Sequence, residues 1–141
     1  MRIVARLHRR QEGVAALEFA IVAMVFLVIL FGILTYGFIY SLDQSLNHAA
    51  EEAARSAIST TTDAAAIAKA QSTALSRLSW LGSNIHPSDV TAAVANCAND
   101  ATVRCITVTI VYPWATRPVV PKFAGVPTPS QLRAVAVVQL D

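Results

Sequence analysis

From Val14 to Tyr40 the chain is almost wholly apolar, and a single residue in that stretch, Glu18, carries a charge. As an α-helix it would run about 40 Å, more than the roughly 30 Å hydrocarbon core of a bilayer, so it is long enough to cross with tilt. The alternative is a helix buried inside a soluble domain. It is disfavoured because residues 41–141 are too few to wrap a helix that is apolar on all sides. Composition agrees. The chain is 55% hydrophobic and 14% charged, against about 25% charged for an ordinary soluble domain, and most of the excess sits in this one segment. Glu18 then needs an explanation, since a bare carboxylate near lipid must find water, a partner or a proton.

The flanks set an orientation. Arg2, Arg6, Arg9 and Arg10 precede the span against Glu12, whereas the first charges after it are Asp43, Glu51 and Glu52. Positive flanks stay on the cytoplasmic side, which sends everything after about Tyr40 across the membrane. Tyr36 and Tyr40 suit the far interface. A cleaved secretory signal fits poorly: its apolar region usually runs about 7–15 residues and ends at a small-x-small site. Here the run is longer, and Ser41-Leu42-Asp43-Gln44 offers no such site.

Gly13 closes the basic leader at the boundary between polar and apolar chain. Arg9-Arg10-Gln11-Glu12-Gly13 followed by Val14-Ala15-Ala16-Leu17-Glu18-Phe19 resembles the class III signal of type IV pilins, and the Glu-Phe pair resembles its Flp/Tad branch. That resemblance implies cleavage after Gly13 by a prepilin peptidase, leaving a mature chain that begins at Val14. It also implies that Glu18 meets the freed amino group of a neighbouring subunit. A new ammonium at Val14 and a carboxylate are each costly in lipid and relieve each other when paired. Four residues are one helical turn, about 6 Å, so a contact within one chain is equally open. The competing reading makes Gly13 a flexible joint before a signal anchor and Glu18 a tolerated acid near the interface.

Beyond Tyr40, the positions Leu42, Leu46, Ala49, Ala50, Ala53, Ala54, Ala57 and Ile58 follow helical spacing among polar residues, and Phe38–Ile58 contains neither proline nor glycine. The membrane helix is therefore expected to continue as an amphipathic rod. Thr62 or Asp63 can cap a second, alanine-rich helix over Ala64–Leu81 that Gly82 ends. Val90–Ala95 and Val103–Tyr112 predict a hairpin turning near Asn99-Asp100, and Leu132–Leu140 predicts a third strand. Pro113, Pro118, Pro121, Pro127 and Pro129 exclude regular helix or a central strand between the last two strands. That connection reads either as a polyproline ligand or as an ordered loop packed by Trp114 and Phe123. The expected fold is α+β, divided into a leader (1–13), a transmembrane helix (14–40), its amphipathic continuation (41–58) and a globular domain (59–141).

Val108-Thr109-Ile110-Val111-Tyr112-Pro113-Trp114, the proline-rich stretch, Leu132-Arg133-Ala134-Val135-Ala136 and the stretch Ala49-Ala50-Glu51-Glu52-Ala53-Ala54-Arg55 together resemble TadE-like pseudopilins. Major Flp pilins are little more than the helix, so a chain that goes on from Ser59 to Asp141 points to a minor subunit. The resemblance implies a single-pass protein of the bacterial inner membrane, with its distal domain periplasmic or carried out in a pilus that serves adhesion, surface colonisation or biofilm formation. It implies as partners a prepilin peptidase, other Tad/Flp pilins and pseudopilins, the inner-membrane secretion platform and membrane lipid. A second class stays open, an uncleaved membrane-anchored binding module whose proline-rich loop meets a ligand.

Cys97 and Cys105 flank the expected turn, and an oxidising compartment favours a disulfide across it. Their spacing is neither a CxxC redox pair nor a zinc set. His8, His48 and His86 are scattered over the leader, rod and loop and suggest no metal, and no cofactor is expected. No nucleophile elbow, paired-acid motif or phosphate loop occurs, so no enzyme is expected. Removing the leader takes away Arg2, Arg6, Arg9 and Arg10 against Glu12 alone, so the formal net charge of +2 turns negative and nucleic acid is offered no basic surface.

Overall fold

A computed structural model describes the backbone of residues 2–123 and 125–140, and the side chains of that range from residue 13 onward. The leader side chains, including His8 and the arginines, lie outside the described residues. The order of elements is a long helix α1 (Arg2–Ser56), a helix α2 (Asp63–Arg77), and strands β1 (Val90–Cys97), β2 (Asp100–Tyr112) and β3 (Leu132–Leu140). The fold is α+β: a long apolar amino-terminal helix, a second helix and a three-stranded antiparallel sheet with the prolines in the connection between β2 and β3. By contact the chain forms two compact units, Met1–Gly37 with Lys122–Pro127, and Phe38–Pro121 with Thr128–Asp141.

In the first unit, α1 from Val14 onward is apolar around its circumference apart from Glu18. Within Gly13–Ser59, which is long and apolar enough to cross a membrane, the most apolar window has no buried residue. Val14, Leu17, Phe19, Val22, Met24 and Phe26 are all more than half exposed. An unburied, uniformly apolar helix is stable only where the solvent is itself apolar.

The second unit has one core. The α1 residues Ile39, Leu42, Leu46, Ala49, Ala50, Ala53 and Ala54 are buried along one helical stripe, as the sequence pattern requires. They share that core with Ala66, Ala70 and Ala74 of α2, with Leu78 and Leu81, and with Val90, Ile106, Val108, Ile110, Tyr112, Leu132, Ala134 and Ala136 of the sheet. The strands show the period of two: Ile106, Val108, Ile110 and Tyr112 face in, while Thr107, Thr109 and Val111 between them are partly open. On that second face Thr109 pairs with Val135 and Thr107 with Val137, and both valines are exposed.

Helix α2 begins as the sequence predicts, with the Thr62 hydroxyl accepting from the Ala65 N–H at 3.3 Å and Asp63 in the first turn. It ends earlier than Leu81. Arg77 is its last residue, and Ser79–Asn84 winds as 3-10 helix around Gly82, whose φ of 57° favours glycine. The hairpin turn is Ala98-Asn99, just ahead of the expected position, and the register shifts between Asn96 and Cys97. No described non-glycine residue has positive φ, so this two-residue turn lacks the primed geometry that matches strand twist, and the bulge takes up the difference. Asp100 stiffens it, its Oδ1 accepting from the Thr102 N–H at 2.9 Å and the Thr102 hydroxyl at 2.6 Å, which holds its carboxyl below the ordinary pKa.

Candidate functional site

The residues predicted to carry processing and assembly sit together at the start of the apolar segment. Gly13, Val14, Glu18 and Phe19 are all within α1, all exposed, Phe19 at 74%. The helix continues through Gly13 with no positive φ, so the glycine is a helical residue here. Glycine inside a helix costs about 1 kcal/mol relative to alanine, so Gly13, like Gly32 and Gly37 further along α1, lowers the cost of opening the helix locally. Glu18 stands one turn beyond Val14 and has no ion-pair partner among the described residues. Ala16, Ala20 and Ala23 follow at spacings of four and three on one side of the helix.

Toward the other end of the first unit the helix is met by the tip of the proline-rich connection. Phe123 stacks on Phe31, with ring centroids 4.2 Å apart and planes at 12°. The Tyr36 hydroxyl donates to the Pro127 carbonyl at 2.9 Å. Ala20, Ala23, Met24, Leu27, Val28 and Phe31 form an apolar groove under Phe123 and Val126. Nothing in the local sequence announced this pairing of residues so distant along the chain; the one signal was an aromatic in a loop otherwise rich in proline.

In the second unit Cys97 and Cys105 are disulfide-bonded, their Cα atoms 5.0 Å apart across the bulged end of the hairpin. The entry of the proline-rich connection is locked from several sides. Arg117 Nη2 donates to Asp89 Oδ1 at 2.6 Å and Nη1 to the Asn84 carbonyl at 2.7 Å, while the Tyr112 hydroxyl donates to the Arg117 carbonyl at 2.6 Å. Trp114 is buried beside it, and the Ala115 N–H donates to the Ser130 carbonyl, closing the neck of the loop. The entry of the connection is thus ordered. Exposed ion pairs join Glu52 of α1 to Arg77 of α2 and Asp63 of α2 to Arg104 of β2. His48 bonds to Gln44, and the His86 N–H donates to Asp89 Oδ2. Among the described residues no group of His, Cys, Asp and Glu side chains could hold a metal ion.

These features define a class: among the described residues, one helix long and apolar enough to cross a membrane, whose apolar stretch Val14–Tyr40 holds the single acid Glu18, together with a small disulfide-bonded α+β unit. Residues 13–55 match the family described as TadE-like protein. The match opens on Gly13 and stops just short of the end of α1, while the resembling stretches Val108–Trp114 and Leu132–Ala136 fall outside it. No curated protein and no solved structure matches the chain significantly.

Proposed function

We propose that this chain is a minor, TadE-like subunit of a Tad/Flp pilus, a structural protein that acts by assembly. It is made as a single-pass inner-membrane precursor with residues 1–13 cytoplasmic. A prepilin peptidase cuts after Gly13, and the new ammonium of Val14 pairs with the Glu18 carboxylate of an adjoining subunit. The small side chains Ala16, Ala20 and Ala23 admit that neighbour, and the domain beyond the span supplies partner specificity, in the base or in the extracellular fibre. The observation that carries the reading is the family match, which begins at Gly13 and takes in the apolar stretch Val14–Tyr40 with Glu18.

Amino-terminal sequencing of the chain produced together with its prepilin peptidase tests it. The expected mature protein starts at Val14. Protein still carrying its leader under those conditions, while a known prepilin in the same cells is cut, would overturn the proposal.

A further inference from the structure

The contact between loop tip and helix has a consequence for where the tip resides, given the reading that Val14–Tyr40 spans a bilayer. The middle of that stretch is Leu27. With about 30 Å of hydrocarbon centred there, Phe31 lies about 6 Å from the midplane and Tyr36 about 13 Å, near the boundary. Phe123 is stacked on the first and Pro127 is hydrogen-bonded to the second. Whatever surrounds Phe31 therefore surrounds Phe123.

We propose that Phe123 and Val126 form a second membrane contact of this chain, the tip of the proline-rich loop sitting at acyl-chain depth in the leaflet nearer Tyr40, held against the span by Phe31 and Tyr36. Irregular backbone at that depth is costly unless its polar groups are satisfied within the protein. At the tip, Pro127 has no N–H, and further backbone groups have partners. The Val126 N–H donates to the Phe123 carbonyl at 3.2 Å, and the Pro127 carbonyl is taken by Tyr36. The faces turned to the groove are apolar: Phe123 and Val126 above, Ala23, Leu27 and Phe31 beside them.

The test is depth-dependent quenching by lipids brominated on their acyl chains, using the full chain in phosphatidylcholine–phosphatidylglycerol vesicles. Phe26→Trp reports the span, and Phe123→Trp and, separately, Val126→Trp report the tip. Each is read as the increment over the parent, whose Trp80 and Trp114 belong to the second unit. The proposal expects blue-shifted emission from the tip and a loss of fluorescence comparable with that of Phe26→Trp. It expects that loss to shrink when Phe31→Ala is added to Phe123→Trp. Quenching of Phe26→Trp with neither tip position quenched overturns the proposal and leaves the span intact. Failure of all three overturns the span and the tip together. Tip quenching that Phe31→Ala leaves unchanged overturns the stacked arrangement.

Discussion

Arg117 is the residue through which the proline-rich connection is fixed to the second unit. Its guanidinium meets Asp89 and the Asn84 carbonyl and lies 5.8 Å from the centre of the Tyr112 ring, and its carbonyl is held by the Tyr112 hydroxyl. Asp89 is largely buried. Burial works to raise its pKa, but the hydrogen bond from Arg117, the backbone N–H of His86 and the neighbouring positive charge outweigh it, so the native carboxyl titrates below the ordinary value of 3.8. A depressed native pKa means that the unfolded chain binds the proton more readily. The pair's stabilisation is therefore fully present above about pH 4 and is lost as the pH falls through the native value. Thermal unfolding in detergent from strongly acidic to neutral pH should show this acid limb, and Asp89→Asn should flatten it while costing about 1–3 kcal/mol at neutral pH. An unchanged limb in Asp89→Asn would place the acid sensitivity in other carboxylates.

At the scale of elements, the second unit depends on helices faced with alanine. Ala49, Ala50, Ala53, Ala54 and Ala57 of the α1 side and Ala66, Ala70 and Ala74 of α2 are all buried in the same core. Such a face gives little apolar area per residue but lets main chains approach closely, so it tolerates enlargement badly. Ala70→Leu should destabilise by about 1–3 kcal/mol, whereas Ala68→Leu on the exposed side of the same helix should stay within about 0.5 kcal/mol; chemical denaturation of the disulfide-intact chain distinguishes them. The hairpin disulfide makes a separate contribution. Cys97→Ser with Cys105→Ser should lower stability by about 2.5 kcal/mol in the same assay. The alanine stripe and the bounds of β3 were legible because periods of 3.6 and 2 are local. The end of α2 was not. Leu78 and Leu81 are both buried, and a spacing of three serves an α-helix and a 3-10 turn alike, so the pattern alone carried the predicted helix past Arg77 to Leu81. The loop tip was illegible for another reason: Phe123 finds Phe31 through tertiary structure, and no local periodicity records a contact between residues so far apart in the chain.

For the whole molecule the decisive question is whether Glu18 acts by itself or with the amine that the proposed cleavage would create. Before cleavage Val14 is an internal amide and Glu18 is one exposed acid near the start of the span. After the proposed cleavage the same helix would start with an ammonium, and removing one member of a desolvated charge pair costs about 3 kcal/mol or more, equivalent to about a hundredfold in association. The two states thus give different mutational signatures. Glu18→Ala should leave membrane insertion intact, since loss of an acid only makes the span more apolar, yet should deplete the subunit from sheared pilus fractions by about that factor. In a variant whose leader is retained, Glu18→Ala should bring no further loss, because the amine it would answer is never made. Immunoblotting of membrane and sheared fractions for the four combinations of these two changes separates the cases. A depletion that is the same with the leader kept or removed would mean that Glu18 serves the helix through some property other than pairing with Val14.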